Sequence, residues 1–447
     1  MPRSPSSPAF WRSPLRGPWF TSVLGVVLLV GITVLFVTGL LSYAAYNPNL
    51  SAVNDKTPDK GILGFYLFSW PTGPVWLYRL TQGVHVTLGV ALIPVLLAKL
   101  WSVVPKLFAL PPARSLAHAL ERLSLLLLVG GALFEFTTGV LNIQLDYVFP
   151  GSFYTLHFYG AWVFIAAFVT HAVLRVPTAF RNLRQVRRPR PRPERVGPRP
   201  GPEDPHPGQA DPRPGAGPLA DAGEPARPED ELVAPDPLPP TVSRRGALGF
   251  VGGGSLLLVA TTAGHGFDGP LRETALLAPH GGAEPGSGPN GFQINKTAAS
   301  RGITATETSE EAWRLVVAGK GRTVRLSRAE LQRLPLHSAA LPIACVEGWS
   351  TSDQWWRGVR LRDLAGLVGY DRDAAPDVLV ESLQRRGAFR VAALRDNQVR
   401  DPLSLLALFV NGEDLTPDHG YPARIIVPAA PGVLNTKWVA RMTFGDL

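Results

Sequence analysis

The chain has 447 residues, room for two or three units, since ordinary domains run to about 100–200 residues. Hydrophobic residues make up 45% and charged residues only 18%, with 44 Pro and 45 Gly. That profile excludes a single soluble globule and a wholly disordered chain, and fits apolar blocks averaged with a low-complexity block. One cysteine excludes an intrachain disulfide framework and a Cys-rich metal cluster. The net charge of +9 misleads as an average, because the arginines are clustered.

Four apolar runs come first: Trp19 to Leu41, Trp76 to Val103, Ala119 to Leu141 and Tyr154 to Val176. Each is close to or above the ~20 residues that span a hydrocarbon core. They predict an all-α transmembrane four-helix bundle over residues 1–177. Arg3, Arg12 and Arg16 precede the first run, Lys106 and Arg114 separate the second and third, and Arg175, Arg181, Arg184, Arg187 and Arg188 follow the fourth. The other side holds Lys56 and Lys60. By the positive-inside rule both ends of the bundle face the cytoplasm.

Four of the nine histidines fall in this block: His85, His118, His157 and His171. Ionisable groups inside a membrane are costly and point to function. His157 and His171 are fourteen residues apart, about 3.9 helical turns and roughly 21 Å, so they share a face but not one metal. That spacing suits two haems, each on an imidazole. His85, on the second helix, suits the second axial position opposite His157. His118 opens the third helix level with His171. The plainer alternative for each is a hydrogen-bonded packing histidine.

This block resembles the di-haem membrane cytochrome b family that serves formate dehydrogenases and nickel hydrogenases. The resemblance rests on the four helices, His85 and the His157/His171 pair. It implies haem b and a membrane quinone or quinol as partner. The family places a further histidine near the start of the first helix, where this chain reads Arg16-Gly-Pro-Trp-Phe-Thr21. His118 replaces that ligand, or one haem binds rather than two.

Residues 178–242 are rich in Pro, Arg, Gly, Ala and acidic residues and poor in aromatic and β-branched ones. Such a segment cannot bury a core and reads as a disordered cytoplasmic linker. Its acidic residues and lack of stacking aromatics argue against a nucleic-acid partner. Ser243-Arg-Arg-Gly-Ala-Leu248 then opens a mildly apolar stretch to Gly264. It resembles a twin-arginine export signal and predicts a fifth transmembrane helix over 243–264. The export machinery would be a partner, and the residues beyond this helix would face the exterior or periplasm of a bacterial cytoplasmic membrane. Residues 265–289 read as a flexible linker.

Residues 290–447 are soluble in character. Trp313 to Ala318, Val324 to Leu326, Val378 to Val380 and Ala423 to Val427 read as strands. Ser327 to Leu334 reads as a capped helix, with Glu330 three residues after the cap, and Leu361 to Val368 as another. The sum is an α+β domain. On composition alone Cys345 is either a metal thiolate or a buried inert thiol.

Three separated motifs carry a second resemblance. They are Cys345-Val-Glu-Gly-Trp-Ser with Trp356-Arg-Gly-Val-Arg-Leu-Arg-Asp-Leu; Asn411-Gly-Glu-Asp-Leu; and Asp418-His-Gly-Tyr-Pro-Ala-Arg424-Ile-Ile-Val-Pro with Lys437-Trp438. Together they resemble the molybdopterin-binding domain of the sulfite oxidase superfamily, most of all the bacterial branch with the periplasmic methionine sulfoxide reductases. The resemblance implies Cys345 as the catalytic thiolate on molybdenum. It implies His419 and Arg424 as contacts to the pterin and its phosphate, with Asn435, Thr436 and Lys437 at the phosphate end. Ser382 and Asn295 stand where relatives place further cofactor contacts. Glu347, Gly348 and Trp349 follow the cysteine in place of the Asn-Arg-Arg type run of sulfite oxidases, so the substrate stays open between an oxyanion and a sulfoxide. Arg357, Arg360, Arg385, Arg386 and Arg390 form either an anion-attracting entrance or a solvated face. The expected protein is a membrane-anchored, molybdopterin-dependent oxidoreductase exchanging electrons with quinone through haem b. The alternatives are a non-catalytic electron-transfer or sensor protein, and an envelope anchor.

Overall fold

The computed structural model describes residues 18–50, 68–107, 115–143, 153–185, 242–266, 269–277, 287–385 and 389–447. Residues 186–241 of the expected linker, and Arg386, lie outside the described residues.

Four long helices form the bundle: α1 (Pro18–Ala45), α2 (Leu77–Leu107), α3 (Leu116–Asn142) and α4 (Phe153–Gln185). A fifth, α5 (Arg244–Ala263), packs along α2. All five are long and apolar enough to cross a membrane. Their interior is an apolar stripe: Phe20, Leu24, Leu28 and Ile32 of α1, at helical spacing, meet Leu92, Val95 and Leu96 of α2 and Phe164 of α4. Val30, Leu126, Val173, Phe250 and Leu257 are exposed on the outside. Helices apolar on both their inner and outer faces have the composition of membrane-spanning ones.

The helix ends agree with the apolar runs except in α4. That helix passes through Pro177 and continues eight residues beyond the expected boundary at 177. Its last turns are tied to α1, where Asn182 Nδ2 donates to Ser22 Oγ at 3.3 Å. Ser243 caps α5, its Oγ accepting from the Gly246 N–H at 3.0 Å.

The C-terminal domain opens on a single helical turn, α6 (Ala298–Arg301), and holds two five-stranded sheets. Chain order gives β1 (Leu315–Gly319), β2 (Arg322–Leu326), β3 (His337–Leu341), β4 (Gln354–Arg360), β5 (Val378–Ser382), β6 (Val391–Leu394), β7 (Leu405–Val410), β8 (Glu413–Asp414), β9 (Arg424–Ile426) and β10 (Val439–Phe444). The first sheet runs β2-β1-β10-β5-β6, with β1 and β10 parallel. The second runs β3-β4-β7-β8, with β9 also on β7. Short helices α7 (Arg328–Arg333), α8 (Leu361–Leu367) and α9 (Asp396–Arg400) cover the core. The capping box on α7 is present, with Ser327 and Glu330 bonded reciprocally. The strand β7 reads Leu-Leu-Ala-Leu-Phe-Val and is buried along nearly its whole length, which hides the alternation that marks exposed strands.

One end of the bundle docks on this domain. Ala44, Ala45, Tyr46, Trp70 and Tyr78 share an apolar cluster with Ala344. Trp70 Nε1 donates to the Ala429 carbonyl at 2.7 Å, and Asn397 Nδ2 donates to the Trp70 carbonyl at 2.9 Å. Asn47 Nδ2 donates to Gln398 Oε1 at 2.8 Å. Buried polar groups seldom lack partners, and here each module supplies partners for the other.

Candidate functional site

The cysteine site begins where β3 leaves its sheet. Ala344 bridges Ser350 and Pro431, closing a tight turn. Within it the Cys345 N–H donates to the Trp349 carbonyl at 2.8 Å and the Gly348 N–H to the Cys345 carbonyl at 3.2 Å. Gly348 has φ +89°, a left-handed conformation that suits glycine. Cys345 is 3% exposed. Burial, reinforced by the adjacent Glu347, pushes its free thiol well up. Burial likewise raises the Glu347 carboxyl to about 7, while Trp349 Nε1 donates to its Oε2 at 2.7 Å. A thiol in this setting becomes a thiolate when a metal takes the proton's place.

Beside the turn lies a polar cluster drawn from distant parts of the chain. His419 ends a short 3₁₀ turn capped by Thr416. Its Nε2 donates to the Phe292 carbonyl at 3.2 Å, and its Nδ1 lies 2.7 Å from Thr416 Oγ1. Burial, with Arg424 and Lys437 close by, pulls its pKa down to about 3, so the ring is neutral. Arg424 opens β9, is 2% exposed, and donates to the His419 carbonyl at 3.0 Å and the Asn435 carbonyl at 3.3 Å. Its guanidinium lies over Trp356, 5.1 Å from the ring centroid. Lys437 Nζ donates to the carbonyls of Lys296 (2.9 Å) and Asp418 (2.7 Å). Ser382 Oγ donates to the Lys437 carbonyl at 2.7 Å, and the Val427 N–H donates to Asn435 Oδ1 at 2.9 Å.

This cluster fits an anionic cofactor. Arg424 is a buried cation and Lys437 a half-buried one, and their hydrogen bonds go to backbone carbonyls. Burial pulls Arg424 down to about 9 and Lys437 well below its ordinary value. Arg424 Nε, Thr436 Oγ1 and Gln293 Oε1 are buried without a partner. Buried cations and orphaned polar atoms cost free energy until a ligand meets them. The phosphate of the expected pterin would supply the charge and the acceptors. Lys296 and Lys437 also lie within electrostatic reach of Cys345. So His419, Arg424, Asn435, Thr436 and Lys437 lie in one cluster, with Ser382 behind Lys437. Asn295 lines a cavity together with Cys345. Arg424→Gln is expected to lower molybdenum per chain ten- to a hundredfold after dialysis. It removes a charge-assisted contact of about 1.5–3 kcal/mol, and metal analysis of the dialysed protein checks it.

The second site lies in the bundle. The rings of His85 and His157 face each other, centroids 6.2 Å apart and nearly perpendicular. His85 Nδ1 lies 3.0 Å from the Leu35 carbonyl, which only accepts, so Nδ1 carries the proton and Nε2 keeps its lone pair. Thr38 Oγ1 lies 3.0 Å from the same nitrogen. His157 Nδ1 lies 3.1 Å from Thr138 Oγ1 and 3.1 Å from Glu135 Oε2. Partners on Nδ1 that leave Nε2 for the metal are the usual outer shell of a histidine ligand. Imidazole–metal bonds of about 2.0–2.1 Å on either side of one iron put two ring centroids about 6 Å apart. The observed spacing fits one haem between the two rings.

The same device holds both rings. Phe36-Val-Thr38-Gly39-Leu-Leu41 on α1 recurs as Phe136-Thr-Thr138-Gly139-Val-Leu141 on α3. A Cβ at Gly39 would sit 3.2 Å from His85 Cε1, and one at Gly139 3.3 Å from His157 Cε1. Gly31 packs on Leu92 and Gly131 on Phe164, each partner seven residues after its histidine. The hairpins α1–α2 and α3–α4 therefore repeat one helix register. Taken one residue at a time, neither the threonines nor the glycines mark a site; the repeated Phe-x-Thr-Gly-x-Leu is the sequence signal that does.

The remaining expected residues lie elsewhere. His171 sits beside Lys99 and Arg175, apart from the His85–His157 pair, and the lining of the cavity between those rings does not include it. A second haem at that end would take His118 as its other ligand. His118 falls in α3, its side chain outside the described residues. Of the five arginines, Arg390 lines the cavity, Arg385 pairs with Glu307 at 2.7 Å, and Arg360 donates to the Pro402 carbonyl. Arg357 lies toward Phe409. Lys296, which no motif singles out, joins Arg390 in the lining.

A cavity of about 670 Å³ connects the two sites. His85, His157 and Glu135 line it from the bundle, and Cys345, Glu347 and Lys296 from the domain. Among the described residues no three His, Cys, Asp or Glu side chains converge on one metal position. A metal at either site therefore draws most of its ligands from a cofactor.

Residues 302–446 match the family described as oxidoreductase molybdopterin binding domain. The uncharacterized oxidoreductase YuiH of Bacillus subtilis is 32% identical over 133 residues, 30% of this chain and 65% of that protein. Mitochondrial sulfite oxidase of Rattus norvegicus is 30% identical over 158 residues, 30% of this chain and 29% of that protein. The chain thus spans less than two thirds of either relative. Among solved structures, sulfane dehydrogenase SoxCD from Paracoccus pantotrophus aligns with 30% of this chain and 39% of its own, at 23% identity and a TM-score of 0.28. That superposition is too loose to bear on function.

Proposed function

We propose that residues 302–446, which match the oxidoreductase molybdopterin binding domain family and are similar to mitochondrial sulfite oxidase, bind a molybdenum cofactor, and that the chain is a membrane-anchored oxidoreductase wired to quinone through one haem b. The molybdenum cofactor, when bound, supplies two-electron oxygen-atom transfer, and the haem supplies single-electron transfer. Cys345 holds the metal from the protein side. Arg424, Lys437, Asn435, Thr436 and His419 hold the pterin and its phosphate. His85 and His157 offer Nε2 to the iron. Lys296 and Arg390 give the chamber beside Cys345 a positive wall suited to an oxyanion or the polarised oxygen of a sulfoxide. The observation that carries this reading is the single cavity reaching from Cys345 to both histidines.

By the positive-inside rule the clustered arginines support a cytoplasmic far end of the bundle, with the catalytic domain outside a bacterial cytoplasmic membrane. Arg244 and Arg245 open α5 as a signal for twin-arginine export. The test is composition of the detergent-purified protein from a host that makes the cofactor. About one molybdenum and one b-type haem per chain are expected. Haem without molybdenum sinks the enzyme reading; molybdenum without haem sinks the wiring.

A further inference from the structure

The turn that carries Cys345 is seated on the helix that carries His85. Gln82 of α2, one turn before His85, is 7% exposed in a membrane-type helix. A buried amide there is costly unless both its ends are bonded, and both are. Its Oε1 accepts from Ser42 Oγ of α1 at 2.8 Å, and its Nε2 donates to the carbonyl of Val346, the residue after Cys345. On the other side of His85, Val86 fills the space where a Cβ on Gly348 would fall, 2.6 Å from its own Cβ. Gly83 leaves the Gly348 carbonyl room to approach. The α2 stretch from Gln82 to Val86 is thus the seat of the Cys345 turn, with His85 inside it.

We propose that Gln82 is a positioning residue that couples the two cofactor sites, so that occupancy of the Cys345 site is felt at the iron held by His85. This rests on the reading of both sites as cofactor-bound. Any shift of the turn moves the Val346 carbonyl, that pulls on Gln82, and Gln82 shares a helical turn with His85. A packing role alone would need neither the amide nor the bond to Ser42. Coupling of this kind is reciprocal and is measured as a departure from additivity.

The experiment is a double-mutant cycle read on the haem midpoint potential. Wild type, Cys345→Ser, Gln82→Met and the double variant are titrated in detergent, each with metal and haem content determined. Methionine matches the length of glutamine without its hydrogen bonds. In the wild-type background, loss of molybdenum through Cys345→Ser is expected to shift the haem midpoint; in the Gln82→Met background the shift is expected to vanish. Gln82→Glu, titrated at a pH where the carboxyl is ionised, keeps the acceptor for Ser42, loses the donor to Val346 and is expected to behave as methionine does. Full cofactor content with equal shifts in both backgrounds overturns the coupling and leaves the proposed function standing. No shift in either background does the same. A wild type that lacks haem or molybdenum takes down that function and the coupling with it. If Gln82→Met misfolds, the glutamate variant carries the cycle.

Discussion

Replacing Cys345 by serine is expected to strip molybdenum from the purified protein while leaving its haem in place. The two side chains differ by one atom, and the turn is held by backbone bonds, Cys345 N–H to Trp349 and Gly348 N–H to Cys345. The scaffold therefore survives, at a cost of roughly 1–3 kcal/mol for a buried hydroxyl with poor partners. The metal does not survive, because a serine hydroxyl in this apolar setting beside Glu347 holds its proton far more tightly than a thiol does. Soft metals also prefer sulfur. The expected readout is a fall in molybdenum per chain of more than tenfold with unchanged haem bands. Retained molybdenum would move the metal away from Cys345. Loss of both would mean that the two modules fold as one unit, not as docked units with separate cofactors.

The docking itself is illegible in the sequence. Hydropathy marks helices, and the three separated motifs mark the domain, because helix length and cofactor contacts are local demands on residue type. Trp70, Asn47 and Gln82 answer a different demand, for partners in a remote part of the chain. Each reads locally as a loop aromatic, a turn former or a stray amide. The histidines divide in the same way. Fourteen-residue spacing puts His157 and His171 on one face, but spacing along one helix says nothing about what the facing helices supply. Opposite His157 the fold brings His85; beside His171 it brings Lys99 and Arg175. The arginines after Cys345 divide as well. Among the described members of that set Arg390, beyond the end of β5, lines the chamber, while Arg385 pairs with Glu307 and Arg360 donates to the Pro402 carbonyl.

The haem site gives the other large effect, and its two halves can be tested against each other. His85→Ala and His157→Ala are each expected to abolish the b-type absorption bands, since one haem shares both ligands, while molybdenum stays. If only one ring bound iron, the other alanine variant would keep its spectrum. Gly39 and Gly139 extend the test to the cradle. At these positions even a methyl group lies 3.2–3.3 Å from the ring carbon, and two more carbons have nowhere to go. Gly39→Val and Gly139→Val are therefore expected to lose haem as fully as the histidine variants. Thr38→Val and Thr138→Val keep the volume and lose only the hydroxyl beside Nδ1. They are expected to retain haem with affinity lowered by about 10- to 100-fold, the usual cost of removing a ligand's outer-shell partner. Because the two hairpins repeat one register, the paired glycine variants should fall in equal steps. Glu135 is the exception to the repeat. It stands where α1 has Leu35, and its carboxylate lies against His157 alone. His85 has the Leu35 carbonyl beside Thr38 but no carboxylate, so a larger loss at Thr38→Val than at Thr138→Val is the asymmetry that the Glu135 carboxylate predicts.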